Sequence, residues 1–383
     1  MKNASFYFAV VCCIMSQVFI ALDMGGSGIL KLSWLLPFSF FILSRAKHLL
    51  NKKIVPYYMF LIVFVFYCAC CEAVTGAIYI GADINNIFIS IFILAISYAY
   101  GMNVQNVEKS LNKLAWSLFA ASFAYGIAVY IKFLMGADMF STIYAYDDKN
   151  SAAQIFLSAC VILFTLYKPF NTIQKIIKYS LIAILLYIIF ILKSRATILG
   201  FFFVISYFTF AYKNKKVRYI FFGGILVIIL FILINPSLYR TVVEGILFAN
   251  RDSSDINSLS SGRVEQMGEC IDMFISSPLI GIGNKYFDCF PVIILTQYGI
   301  LGAIIVFVFL GRRIKECYCL LDKTNMLDLC AYLLMVTYLL DSLFEAQPPF
   351  GPGVKCFPLW MIWGIMLSNK NRNNIKTYIG KLY

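Results

Sequence analysis

Long apolar blocks separated by short polar runs constrain this chain more than any other feature. "SLIAILLYIIFILK" and "TILGFFFVISYFTFAY" are examples, and blocks of this kind, most of them 15 to 22 residues long, recur along the sequence. Segments of that length suit helices crossing a hydrocarbon core of ~30 Å. Hydrophobic residues make up 61% of the chain and charged residues 13%, against about 25% charged in an ordinary soluble domain. The sequence therefore predicts an all-α polytopic membrane protein, read as one integral membrane domain over residues 1–383.

Twelve spans are expected, near residues 6–22, 29–44, 54–71, 85–100, 114–135, 152–167, 179–192, 196–212, 217–234, 288–310, 326–341 and 356–368. The formal charge of +13 does not point to nucleic acid, because the basic residues are clustered between apolar blocks. Arg45, Lys47, Lys52 and Lys53 form one cluster, and Lys168, Lys175 and Lys178 a second. Lys213, Lys215, Lys216 and Arg218 form a third, and Arg312, Arg313 and Lys315 a fourth. With both termini inside, the inner side holds 22 Lys/Arg against 4 Asp/Glu, and the outer side 10 against 15. That asymmetry is the positive-inside rule. The twelve cysteines fall mostly within apolar blocks such as "FYCACCEA", where Cys behaves as a small apolar residue, and give neither a disulfide framework nor a zinc site. The first apolar block ends without an A-x-A-like cleavage site and reads as an uncleaved span.

Lys193 and Arg195 run against this pattern. They sit at the outer junction of two spans, where positive charge is disfavoured. Four of the other eight outer cations fall in one long segment, residues 235–287: Arg240, Arg251, Arg263 and Lys285. Connections of that length without a structural reason are uncommon. Within it, "VEQMGECIDMFI" places Val264, Met267, Ile271, Phe274 and Ile275 on one helical face, which predicts an interfacial helix ended by Pro278. "GIG" reads as a tight turn, since no complete phosphate-binding glycine motif is present.

"KSRATILG", then "SGRVEQMGECIDMFISSPLIGIGNKYF", then "DCFPVIILTQYGILGAIIVF" resemble, in that order, the O-antigen polymerase and ligase superfamily of envelope glycan enzymes. The resemblance covers roughly residues 185–310. It implies a GT-C-like helical bundle, with a cavity opening to the outer leaflet under a long periplasmic loop. It also implies a multi-pass location in the bacterial inner membrane and glycosyl transfer on its periplasmic face, without metal or other cofactor. The substrate would be a polyprenyl-diphosphate-linked glycan held against membrane lipid, and polymerases of this kind often work beside a chain-length regulator. Arg195 and Arg263 match the arginines that hold the diphosphate, and Arg251 matches a looser loop pattern. Where ligases of the superfamily carry a His, about eleven residues before a turn glycine, this chain has Asp288 before Gly299. Its one His, His48, lies in a basic inner cluster. This departure favours polymerase over ligase.

The chemistry fits those residue types. A diphosphate gathers negative charge as it leaves, and fixed guanidinium groups stabilise that charge through a planar, bidentate fork. Arg195 and Arg263 are thus the expected catalytic cations, with Asp288 as first candidate for the base that deprotonates the accepting hydroxyl. Asp288 also reads as a cap for the span that follows. Asp341 and Glu345 are second candidates, and Lys193, Arg240, Arg251 and Lys285 are expected to help bind substrate. Asp147 and Asp148, with Tyr144, Tyr146, Tyr239 and Tyr286, are expected to solvate the outer face or contact sugar. A ligase remains an alternative, as does a flippase for lipid-linked glycans, although transporters place charge within mid-membrane cavities.

Overall fold

The computed structural model describes residues 4–22, 34–43, 45–136, 149–211, 215–247, 257 and 262–380. The described residues are overwhelmingly helical and contain no strand. The protein is an all-α polytopic membrane protein.

A helix occupies each of the twelve expected segments. They are α1 (Ala4–Ala21), α2 (Leu35–Leu43), α3 (Val55–Thr75), α4 (Ala82–Asn103), α5 (Val107–Gly136), α6 (Lys149–Leu166), α7 (Thr172–Ile191), α8 (Arg195–Ala211) and α9 (Lys215–Ile234), then α11 (Phe290–Leu320), α12 (Met326–Ser342) and α13 (Phe357–Gly380). A short helix, Pro236–Tyr239, runs into a π-helical stretch, Arg240–Leu247, and α10 (Arg263–Ser276) follows. Among the described helices, α1, α3, α4, α5, α6, α7 and α11 are long and apolar enough to cross a membrane, and α8 is a shorter apolar helix.

The helices divide by how they are buried. α6 and the first three turns of α13 are buried nearly all round, with Trp360 and Trp363 fully inside. Such helices form the middle of a bundle. Both indoles find acceptors: Trp360 Nε1 donates to Pro349 O at 2.7 Å and Trp363 Nε1 to Tyr57 Oη at 2.5 Å. α13 packs most extensively on α4. The peripheral helices expose large apolar side chains instead, such as Phe66 on α3, Ile173 and Tyr187 on α7, and Phe231 on α9. Lipid is the solvent such a surface requires.

The ion pairs respect the expected topology. Lys168–Glu108 at 2.9 Å, Arg313–Glu316 at 2.6 Å and Lys370–Asp328 join residues at the expected inner ends. Those involving Arg263, Asp288, Asp341, Glu345 and Lys355 join residues from the expected outer connections. Among the described residues no ion pair crosses between the two sets. Lys178, expected simply as an inner charge, is buried, and its Nζ donates to Phe164 O at 2.9 Å and Tyr167 O at 2.8 Å. It thereby closes the carbonyl end of α6, where a cation complements the helix dipole.

The "GIG" segment does more than turn. α11 is broken at Gly299, whose φ of 61° and ψ of −171° interrupt the helical ladder. In an unbroken helix Ile300 and Leu301 would donate to Thr296 O and Gln297 O. Here they donate to Pro278 O at 2.9 Å and Leu279 O at 3.1 Å, while Ile282 and Gly283 donate to Thr296 O at 3.1 Å and Gln297 O at 3.0 Å. Tyr67 Oη donates to Tyr298 O at 2.6 Å. Residues 278–283 are thus spliced into the break, and every displaced backbone group named here regains a partner. That accounting is obligatory at membrane depth, where irregular backbone survives only inside protein. The splice extends to α3 and the turn after it, because Asn284 N donates to Ile78 O at 2.8 Å and Tyr79 Oη to Gly281 O at 2.8 Å.

Candidate active site

Five chain segments meet at the expected outer end of the bundle around a cavity of about 660 Å³. α6 contributes Lys149 and Asn150, and the α7–α8 corner contributes Lys193, Arg195 and Ala196. α10 contributes Arg263, Val264 and Met267, the chain leading into α11 contributes Phe287, Asp288 and Cys289, and the chain after α12 contributes Leu343, Phe344 and Glu345.

The corner explains the unusual placing of Lys193 and Arg195. α7 ends with Leu192 N donating to Ile188 O at 3.0 Å and Lys193 N to Phe190 O at 3.1 Å. Lys193 then takes a left-handed conformation, φ 53°, which reverses the chain into α8. For a side chain other than glycine this costs about 1–2 kcal/mol. The Lys193 side chain is buried nonetheless, and Ser194 and Thr197 beneath it are fully buried, their hydroxyls 3.0 Å apart. Arg195 is half-buried as the first residue of α8, so its guanidinium and the positive end of the helix dipole serve the same cavity. A strained, cation-bearing corner aimed into a cavity is how binding sites are commonly built.

Arg263 opens α10 after Gly262. One terminal nitrogen lies 3.2 Å from Asp288 Oδ2 and 4.0 Å from Glu345 Oε1. Its Nε is buried with no hydrogen-bond partner among the described residues. Asp288 is engaged at both oxygens, since Tyr286 Oη donates to Oδ1 at 2.8 Å.

Glu345 is set deeper than Asp288, its side chain 14% exposed against 30%. Its Oε1 accepts from Asn150 Nδ2 at 2.6 Å, and its backbone carbonyl accepts from Phe290 N at 2.9 Å. Burial raises its pKa above the ordinary glutamate value. Lys355 pulls against that rise, and Asp341 and Asp288 add to it more weakly. Lys355 itself is buried, with Nζ 2.8 Å from Asp341 Oδ2 and 3.8 Å from Glu345 Oε2. Burial opposes its charge, but the two carboxylates outweigh that and hold the ammonium above its usual pKa. The result is a ladder of alternating charge, Asp288–Arg263–Glu345–Lys355–Asp341, running from the cavity into the core.

The loop carrying Glu345 and Lys355 is fixed by side chains from the bundle. Asn86 Nδ2 donates to Gln347 Oε1 at 3.1 Å, Ser90 Oγ donates to Phe350 O at 2.7 Å, and Tyr338 Oη donates to Lys355 O at 2.5 Å. Ser158 Oγ in turn donates to Tyr338 Oη at 3.0 Å.

The structure thus brings together Lys193, Arg195, Arg263, Asp288 and Glu345 from the expected set. Asp341 lies beneath, fully buried and off the cavity wall. Lys285 is placed differently: its carbonyl takes a hydrogen bond from Gln297 Nε2, and it is not among the described residues lining the cavity. Arg240 is exposed at the start of the π-helical stretch and is likewise off that wall. Arg251, and with it Tyr144, Tyr146, Asp147 and Asp148, lies outside the described residues. His48 sits in a 3₁₀ turn, Ala46–His48, beside Asn103 at the expected inner end of α4. Lys149, Asn150 and Lys355 were missed. Lys149 and Lys355 each carried a signal, as the one cation of an outer connection directly ahead of an apolar span.

α10 carries an apolar stripe exposed at Val264, Met267, Ile271 and Ile275, while Cys270 beside it is buried. Phe274, expected on that stripe, is half-buried. Val264 and Met267 are shared with the cavity, so its wall continues into a surface suited to lipid.

Comparison with curated proteins gives no match. A family model described as O-Antigen ligase matches residues 180–301, about a third of the chain. The matched stretch begins within α7 and ends just past the break in α11, so it contains Arg195, Arg263 and Asp288 but neither Glu345 nor Lys355. This match supports a relationship between that part of the chain and the O-antigen ligases and polymerases, enzymes of glycan assembly on lipid-linked substrates, without separating one from the other.

Proposed function

We propose that this protein polymerises oligosaccharide repeat units carried on a polyprenyl diphosphate into a long surface polysaccharide, at the periplasmic face of a bacterial inner membrane. The observation that carries the reading is the placing of Arg195 and Arg263 on one cavity together with the carboxylates of Asp288 and Glu345. The donor's diphosphate binds Arg195, Arg263 and the N-terminus of α8, with Lys193 and Lys149 adding positive charge. The acceptor's sugar hydroxyl lies near Glu345 and Asn150.

In the transfer step the hydroxyl oxygen bonds to the donor's anomeric carbon and its proton passes to Glu345. The bond from that carbon to the diphosphate breaks, and its electron pair stays on the departing diphosphate, where the arginines neutralise it. Glu345 suits the base role better than Asp288. Its raised pKa brings it nearer to the operating pH, where a general base is most effective. Asp288, with both oxygens occupied, serves to aim Arg263.

The family model's description favours a second reading, a ligase that passes finished glycan to another lipid. The absence of a histidine near the cavity among the described residues supports polymerase instead. Reconstitution separates the readings. Purified protein in liposomes, given polyprenyl-diphosphate-linked repeat units alone, is expected to release polyprenyl diphosphate and build a ladder of oligomers. A product formed only when a second lipid acceptor is added supports ligase. Passage of the substrate across the bilayer without new linkages supports a flippase.

A further inference from the structure

We infer that Lys355, clamped by Asp341, is a positioning residue that sets the charge and the aim of the Glu345 carboxyl. The role of that carboxyl in transfer rests on the proposed function; its electrostatic setting does not. Lys355 has no access to the cavity, so it cannot touch substrate. Its ammonium lies between two carboxylates of unequal standing. Asp341 is closer, at 2.8 Å, and fully buried, whereas Glu345, at 3.8 Å, faces the cavity. A buried ammonium requires a counter-ion, and Asp341 supplies it. Glu345 is left under the influence of Lys355 without being locked in a tight pair. A base must stay ionised until the acceptor arrives and must still be able to accept a proton.

Every charged group around Glu345 enters this balance. Arg263 from α10 stands 4.0 Å away and favours its ionisation. Asp288, ahead of α11, and Asp341, from α12, oppose it. Lys149, Lys193 and Arg195 share the cavity from α6 and the α7–α8 corner. Of these, Lys355 is the cation whose removal leaves the cavity wall intact.

The experiment is a pH titration of the purified full-length protein in nanodiscs, without substrate, following carboxyl groups by infrared difference spectroscopy. The band lost in Glu345→Gln identifies Glu345. Removing the ammonium in Lys355→Met is expected to move the Glu345 midpoint up by about one to two pH units, the usual effect of a charge at this range. Asp341→Asn is expected to move it down, because a repelling carboxylate is lost and Lys355 turns to Glu345 alone. If Lys355→Met fails to accumulate, the downward shift in Asp341→Asn still tests the inference. In reconstituted transfer, the acidic limb of the pH profile is expected to shift with each midpoint. Midpoints that stay at the parental value, or move together in one direction, overturn the inference. Opposite shifts alongside full transfer by Glu345→Gln uphold the electrostatic arrangement and defeat the base reading.

Discussion

Replacing Arg263 by Ala is expected to slow glycan transfer by about 10²–10³, the usual effect of deleting one donor aimed at developing negative charge. Two losses combine. The guanidinium presents a buried Nε with no partner among the described residues and a terminal nitrogen shared between Asp288 and Glu345. Without it the diphosphate loses a donor, and two carboxylates on the same wall are left to repel it. Arg263→Lys is expected to recover only part of the rate, because an ammonium cannot match two phosphate oxygens while keeping the Asp288 contact. Turnover by reconstituted protein, at matched levels of folded protein, checks both. A parental rate in Arg263→Ala would leave this arginine with no part in the reaction.

Gly281→Ala is expected to prevent the protein from accumulating in the membrane. A Cβ at Gly281 would lie 2.3 Å from Gln297 O and 2.4 Å from Gln297 C, and its φ of 77° is costly for any L side chain. The obstructing atoms are backbone and cannot rotate away. Relief requires withdrawing residues 278–283 from the break in α11, which strands the amides of Ile300 and Leu301 and the carbonyls of Thr296 and Gln297. Each such group costs several kcal/mol in hydrocarbon, so losing all four consumes the margin of an ordinary domain, about 5–15 kcal/mol. Gly299→Ala meets Leu279 at 2.4 Å and is expected to behave alike. Gly268→Ala, where an added Cβ meets nothing within 4 Å, is the control and should accumulate normally. Membrane-fraction immunoblots and detergent-extracted size profiles decide the matter.

Hydropathy and charge located the membrane segments because both are local properties. Each apolar block contains a helix, and the ion pairs keep the expected inner and outer sets apart. Helix ends were less legible. α5 begins at Val107 rather than near 114, and α11 runs to Leu320 rather than 310. Both continue as helix into the polar flank, where charge ends a hydropathic block but not a helix. The break at Gly299 was invisible for a different reason: "TQYGILG" reads as continuous helix, and only the distant segment 278–283 makes a break tolerable.

The site followed the same division. Lys193, Arg195 and Arg263 stood out as cations held against the topological bias, and that bias is written in the sequence. It did not separate Arg240 and Lys285, equally outer and equally basic, because reaching the cavity depends on how α10 and the corner of α7 and α8 pack. Asp288 comes first by its spacing from Gly299, and the proposal of Glu345 as the base draws instead on its depth and on Lys355 behind it, which only the fold brings together.

The most direct test of the proposal that this cavity holds a diphosphate is the glycan profile of cells in which Arg195 is replaced by Ala or by Lys. With both variants at normal membrane levels, gels are expected to show single-repeat product in place of a ladder for Arg195→Ala, and a weak, shortened ladder for Arg195→Lys. A full-length ladder from Arg195→Ala would contradict the account, reducing Arg195 to an interfacial anchor.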